Sequence, residues 1–191
     1  MPRILAALPL VALPLVALPL VVLPAAAQPH MHQQHQRPGH PAPAQPYAGL
    51  EQRPIKALSA EQTAQLLAGH GMAMALAAEL NGYPGPMHVL EHAAALRLTH
   101  AQTRRAEALR DTMATEARAL GARIVALEGE LDALFASGEA ELARLAPLTA
   151  ALGALNGRLR EVHLAAHIEM RAALSAEQRA EYNRLRGYHP R

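Results

Sequence analysis

The fold is decided by residues 109–162, LRDTMATEARALGARIVALEGELDALFASGEAELARLAPLTAALGALNGRLREV. Apolar residues recur in this segment three, four or seven positions apart, first in one half and then again in the other. This spacing places the apolar side chains on one face of an α-helix. The first stripe consists of Leu109, Met113, Leu120, Ile124, Leu127, Leu131 and Leu134, and the second of Leu142, Leu145, Leu148, Leu152, Leu155, Leu159 and Val162.

The two stripes predict two long helices that are joined tightly at Ser137-Gly138 and pack as an antiparallel hairpin. Pro147 lies inside the second stripe, so we expect either a kink there or a helix that begins near Ala146. With a turn near Ser137, residue 163 lies opposite residue 112, which brings Met113 close to His163. The flanking helices are too short to cover both faces of such a hairpin, which favours a homodimer.

Three copies of one short motif mark helix starts. In each copy a Ser or Thr is followed three residues later by Gln, the pattern of a capping box, in which the hydroxyl and the amide side chain satisfy free backbone N–H groups. The copies are Leu58-Ser59-Ala60-Glu61-Gln62, Leu98-Thr99-His100-Ala101-Gln102 and Leu174-Ser175-Ala176-Glu177-Gln178. They predict helices from about Ala60 to Leu80, from Thr99 onward and from Ala176 to Arg186. A short helix is also expected from Met87 to Leu96.

The composition favours an all-α fold. Only 3% of the 191 residues are aromatic, with one Phe and no Trp, and the formal net charge is +2. So small a net charge does not indicate nucleic-acid binding. The chain has no cysteine, which excludes disulfides and thiolate metal sites. We find no catalytic motif and no nucleophile beside a base, so an enzyme is not expected.

The N-terminal region predicts export. Residues 1–27 combine a basic start, an apolar run and a small-residue cleavage site, which is the anatomy of a signal peptide; the alternative is an uncleaved anchor. Residues 28–54 are rich in Pro, His and Gln and predict a disordered tail, and residues 55–191 predict the helical domain. We therefore expect a periplasmic protein without stable membrane insertion once the leader is removed.

The leader, the repeated capping motif and the closing segment around Tyr182 and Leu185-Arg186-Gly187-Tyr188 resemble the Spy/CpxP-like periplasmic proteins. The resemblance covers roughly Leu50 to Tyr188. That superfamily includes heavy-metal-resistance proteins and metal sensors of the ZraP and CnrX kind. The resemblance implies a cradle-shaped helical dimer that either shields unfolded client proteins without ATP or binds transition metals. The chain departs from the family's basic, apolar-lined concave surface, because its mature domain is nearly neutral.

Two histidine pairs are candidate metal ligands. His163, His167 and Met170 lie three and four residues apart and project from one helix face, and His88 and His92 repeat the four-residue spacing. Imidazole suits zinc, copper and nickel, and a thioether favours softer ions. The superfamily's sensors likewise bind metals through His and Met one turn apart. The alternative is that these side chains form a helix surface or a subunit contact. The tail adds His30, Met31, His32, His35 and His40 as candidates for weak ion capture.

The functional hypothesis is an ATP-independent holdase that covers apolar surfaces of unfolded proteins. The alternative is a metal-binding or metal-sensing envelope protein, and a third option is a purely structural dimer.

Overall fold

The computed structural model describes residues 45–188, which contain α-helices, one short 3-10 helix and no strand. The all-α fold class is therefore confirmed. The predicted leader, residues 1–27, and residues 28–44 of the predicted tail lie outside the described residues. No helix within 45–188 is long and apolar enough to cross a membrane. In chain order the helices are the 3-10 helix Leu50–Gln52, α1 (Ala60–Ala68), α2 (Leu76–Glu79), α3 (Pro86–Glu91), α4 (His100–Ala136), α5 (Leu142–Ala173) and α6 (Ala176–Leu185).

All three predicted capping boxes form. Ser59, Thr99 and Ser175 each accept a hydrogen bond from the backbone N–H three residues on, at 3.1 to 3.2 Å. The glutamine at that third position accepts in return from the N–H of its own cap residue in α1, α4 and α6. Two otherwise unpaired backbone donors are thus satisfied at the start of each helix.

The long helices α4 and α5 run antiparallel along their shared length. Two ion pairs fix the register, one between Arg105 and Glu169 and one between Arg158 and Glu116 at 3.2 Å. Both pairs place residue 163 opposite residue 111, one position from the register expected from the sequence. Helix α5 begins at Leu142, five residues before Pro147, so the helix start expected near Ala146 is wrong.

The single helix predicted from Ala60 to Leu80 is also wrong, because the chain forms α1 and α2 with a turn between them. Gly69 ends α1 in the left-handed conformation, with φ of 70°. A Cβ at this position would lie 3.0 Å from the carbonyl oxygen of Ala114 in α4. Met72 and Ala73 also have positive φ, 43° and 60°. The close packing of α1 on α4 and this strained turn redirect the chain before α2.

The helix that follows α2 is shorter than predicted. Helix α3 spans Pro86–Glu91 instead of Met87–Leu96, because the chain turns after Glu91 and Arg97 adopts a positive φ of 49°.

The core consists of two apolar clusters along the hairpin. One lies where α1 crosses α4 and includes Leu66, Ile124 and Leu159. The other lies between α3, α6 and the open ends of the hairpin, and includes Val89, Leu96, Met170 and Tyr182. The second cluster includes Val89 and Met170, which lie on the same helices as the candidate histidine ligands.

Candidate functional site

A buried carboxylate, Glu79 at the end of α2, organises the open end of the hairpin. It is 8% exposed. Its Oε2 accepts from the backbone N–H of Gly85 at 3.1 Å, and its Oε1 accepts from the hydroxyls of Tyr182 at 2.5 Å and Tyr188 at 3.1 Å. The guanidinium Nε of Arg186 lies 3.6 Å from Oε1. A buried charge requires such a set of partners, and this one joins α2, the following turn and the C-terminal helix.

The local sequence explains how the hydrogen-bond partners of Glu79 come together around it. Asn81 and Gly82 form a turn after α2, and the segment Tyr83-Pro84-Gly85-Pro86 leads directly into α3 with Pro86 at its first turn. The capping box at Ser175 starts α6 immediately after α5, which turns Tyr182 back toward Glu79. The Tyr182 ring is fully buried, and burial followed by the hydrogen bond to Glu79 raises the pKa of its hydroxyl, so Tyr182 stays a donor.

His167 on α5 faces this centre. Its Nδ1 lies 2.7 Å from the carbonyl oxygen of Tyr83 and 3.6 Å from Oε2 of Glu79. A carbonyl only accepts, so Nδ1 carries the proton and Nε2 keeps its lone pair in the neutral ring. The ring lies against Gly85, where an added Cβ would come within 2.9 Å of Nε2. Gly85 is therefore needed for the histidine to approach the turn.

His163 lies one turn before His167 and is 2% exposed. Its Nε2 is buried and has no hydrogen-bond partner among the described residues. The ring faces Gly71, at 3.9 Å from the position of an added Cβ. Burial, and secondarily the charge of His167, lower the pKa of His163. The side chain is therefore a neutral imidazole with a buried nitrogen that has no hydrogen-bond partner within residues 45–188.

His88 lies in α3, and His92 directly follows the last residue of this helix. His88 is half-buried, and burial followed by the charge of Arg186 lowers its pKa. Glu79 and His167 also act on His88, so the structure brings this residue near the centre. His92 lies at the end of α3, where its ring meets the Tyr182 ring edge-on at 6.4 Å between centroids. The two histidines thus have different surroundings: His88 is within range of the charge of Glu79, and His92 lies against an aromatic core residue.

Met170 does not join the histidines as a free donor. It is fully buried in the apolar cluster with Val89, Leu109 and Tyr182. Met113, expected near His163, lines a shallow groove with Val162 and Ala166 that His163 does not line. Within residues 45–188, no three His, Cys, Asp or Glu side chains are grouped so that they could hold a metal ion. The structure therefore places His167 at 3.6 Å from Glu79 and His163 one turn before it on α5, without a complete set of metal ligands within residues 45–188.

A second feature is an apolar groove at the turn end of the hairpin. It has a volume of about 360 Å³ and is lined by Lys56, Ala57, Glu128, Leu131, Asp132, Phe135 and Ala136. Lys56 closes one rim through its ammonium and its backbone N–H, which both contact Asp132 at 3.1 Å. Phe135 is 58% exposed, and Leu142 just beyond the turn is 83% exposed. Exposed apolar side chains around a concave surface are typical of a contact site for another molecule.

Sequence reasoning missed Glu79, Tyr83 and the pair Tyr182 and Arg186 as parts of one site. The available signal was Glu79 itself, a lone carboxylate in an otherwise uncharged run from Gly71 to Tyr83. Phe135 offered a second signal as the only phenylalanine of the chain, directly before a turn.

Comparison of the chain with protein-family profiles, with curated protein sequences and with solved structures gives no significant match in any of the three.

Proposed function

We propose that this protein is a periplasmic, ATP-independent holdase of the Spy/CpxP-like kind, which binds apolar segments of unfolded proteins. The observation that carries the proposal is the groove beside Phe135, with this aromatic ring and Leu142 exposed at the turn end of the hairpin. The predicted signal peptide and the repeated capping motif support a periplasmic location in this proposal. The protein acts in this proposal by binding and not by catalysis.

Capture at this groove depends mainly on apolar contact. The net charge of +2 gives little long-range attraction, and Lys56 at the rim is already paired with Asp132. A client side chain that covers Phe135 and Leu131 removes apolar surface from water, at about 25 cal/mol per Å². Weak apolar contacts suit a protein that must release its clients without ATP hydrolysis.

Site-specific substitution tests whether clients bind at the groove beside Phe135. Phe135→Ser should reduce the suppression of aggregation of a chemically denatured client, because it removes the main apolar side chain of the groove. Ile168→Ser is the matched control, since Ile168 is equally exposed, at 57%, but lies at the other end of the hairpin. Equal protection by wild type and Phe135→Ser would overturn the assignment of the groove. Circular dichroism of both variants checks that the helices remain intact.

A second candidate function is transition-metal binding, favoured by the buried Nε2 of His163, which has no hydrogen-bond partner in the described part of the chain. His167 offers a second lone pair one turn away, and His88 lies near the same centre. A zinc, copper or nickel ion bound there would need further ligands, which a rearranged Glu79 or water would supply.

Calorimetric titration of the metal-stripped chain with Zn²⁺, Cu²⁺ and Ni²⁺ tests this candidate. The measurement uses a background in which His30, His32, His35 and His40 are replaced by Ser, so that the tail does not contribute. His163→Ala and His167→Ala should each lose binding, whereas His100→Ala, at the exposed start of α4, should retain it. Binding that is unchanged in the first two variants would exclude this site.

A further inference from the structure

The groove beside Phe135 lies in an acidic stretch of the chain. Residues 124–143, which run from α4 across the turn into α5, contain five acidic side chains and no basic one. The stretch includes the last turn of α4, where the helix dipole is itself negative. The turn end of the hairpin therefore carries a local negative charge, although the net charge of the whole chain is +2. The acidic residues are Glu128, Glu130, Asp132, Glu139 and Glu141.

Two of these carboxylates line the groove itself. Asp132 is paired with Lys56, so these two charges largely cancel. Arg53, three residues before Lys56, does not line the groove. Glu128 belongs to none of the ion pairs formed within residues 45–188. Among the lining residues of α4, Glu128 comes first and Ala136 last, so a negative charge lies at one end of the groove.

Further negative charge lies at the other end of the groove. Ser137 directly follows Ala136, and its hydroxyl accepts a hydrogen bond from the backbone N–H of Glu139 at 3.2 Å. This bond holds the backbone of Glu139 beside the end of the groove. Glu139 and Glu141 are both exposed, and neither forms an ion pair in the described range. The groove thus has acidic side chains near both ends and apolar side chains between them.

We propose that this groove prefers extended client segments in which apolar side chains are flanked on both sides by Lys or Arg. The inference rests on the proposed holdase function and names the class of segment that the protein binds. The lining residues of α4 span positions 128–136, about 12 Å along the helix. An extended chain covers this distance in about four residues, at roughly 3.3 Å each. Two basic residues four positions apart can therefore each approach one acidic end, while the side chains between them contact Leu131 and Phe135.

Charge selects among client segments, whereas apolar burial supplies most of the affinity. Segments with Asp or Glu in the flanking positions meet like charges at both ends of the groove, which weakens their binding. An exposed ion pair changes the affinity by only about 1.4-fold to fivefold, so basic segments still dissociate. Salt screens charges beyond about 10 Å at 0.1 M, so distant arginines of the chain do not cancel this local field.

Three labelled peptides test the preference. The probes GKLVLKG, GSLVLSG and GELVLEG are blocked at both ends, carry the same fluorescent label and differ only in the two flanking residues. Fluorescence anisotropy with the purified protein at low salt should show the lysine peptide binding about tenfold more tightly than the glutamate peptide, with the serine peptide between them. In about 0.5 M salt the three affinities should converge, because salt screens exposed charges.

Substitutions locate the preference on the protein. Glu128→Gln should weaken binding of the lysine peptide by about threefold and leave the serine peptide unchanged, and Glu139→Gln combined with Glu141→Gln should act in the same way. Phe135→Ser should weaken all three peptides alike, because it removes an apolar contact that they share. Glu107→Gln is the matched control, since this exposed glutamate also lies in α4 but about 32 Å from Glu128 along the helix. It should change none of the affinities.

The outcomes separate this inference from the holdase function. Equal affinities for the three peptides, with binding lost in Phe135→Ser, would overturn the charge preference and leave the groove as the client site. A lysine preference that survives both Glu128→Gln and the double variant would also overturn the inference. Absence of binding by all three peptides would overturn it as well, and the holdase function would be overturned only if the protein also failed to suppress client aggregation.

Discussion

The side-chain amides of Gln102 and Gln178 hydrogen-bond to each other in both directions, at 2.8 and 3.1 Å. Each glutamine also completes a capping box, one at the start of α4 and one at the start of α6. Each donates in addition to a carbonyl of a neighbouring segment, Gln102 to Ala173 at 2.9 Å and Gln178 to Leu96 at 3.1 Å. Two caps distant in sequence are therefore locked together by one reciprocal amide pair.

This pairing predicts unequal costs for the three capping glutamines. Gln102→Ala should lower the free energy of unfolding by about 2 to 3 kcal/mol, because it removes a cap and leaves partly buried partners on two other segments unpaired. Gln62→Ala, in the isolated box of α1, should cost only about 1 kcal/mol. Urea unfolding followed by circular dichroism measures both values. Equal losses at the two positions would show that the amide pair adds nothing.

The Glu79 centre predicts a graded effect for its two tyrosines. Tyr182→Phe removes a buried hydrogen bond to a carboxylate and should cost about 2 kcal/mol of unfolding free energy. Tyr188→Phe should cost less, since its hydroxyl is only partly buried and its bond is longer, at 3.1 Å against 2.5 Å. The same urea experiment measures both variants. A larger loss for Tyr188→Phe than for Tyr182→Phe would contradict this description of the centre.

The buried histidines predict a loss of stability in acid. Burial lowers the pKa of His163 and of His88 in the folded protein, so between that lowered pKa and the ordinary value near 6.5 the unfolded chain binds more protons. The contribution of these two histidines to the free energy of unfolding is complete above about pH 6.5. It is lost as the pH falls from that value to the lowered pKa of the folded protein. Unfolding free energies at several pH values between about 7.5 and 5 should therefore decline. His163→Leu should make that decline shallower, and an unchanged slope would contradict the effect of burial.

Two glycines of α4 predict effects of opposite sign. An added Cβ at Gly121 would lie 2.0 Å from the carbonyl oxygen of Leu66 in α1, whereas at Gly129 the nearest contact is Ile55 Cδ1 at 3.8 Å. Gly121→Ala should therefore destabilise the protein by about 1 to 3 kcal/mol despite the better helix propensity of alanine. Gly129→Ala should stabilise it by about 0.5 to 1 kcal/mol. Thermal unfolding of both variants measures these changes. A Gly121→Ala protein as stable as the wild type would show that α1 does not pack this closely against α4.

The helix starts were predictable from sequence because a capping box is a local feature. Ser59, Thr99 and Ser175 need only the backbone within three residues to act, so no knowledge of the tertiary fold is required. The two leucine stripes were equally local and gave the antiparallel register to within one residue. The end of α1 was not predictable, because Gly69 adopts its left-handed conformation where the backbone of α4 approaches it, and that contact is non-local.

The histidine region was only partly predictable for the same reason. Spacing placed His163 and His167 on one face, but it could not show that His167 binds the Tyr83 carbonyl or that Met170 is buried in the core. These outcomes depend on where the turn after α2 and helix α6 pack. Glu79 is the clearest case, since its partners Tyr182 and Tyr188 are more than 100 positions away in sequence.

We propose above all that this chain protects unfolded proteins by binding their apolar segments. Its most direct test is light scattering of a chemically denatured client diluted into low-salt buffer without ATP, with and without an equimolar amount of the purified protein. If the protein is a holdase, it should strongly suppress the scattering. A scattering curve that is the same with and without the protein would contradict this proposal.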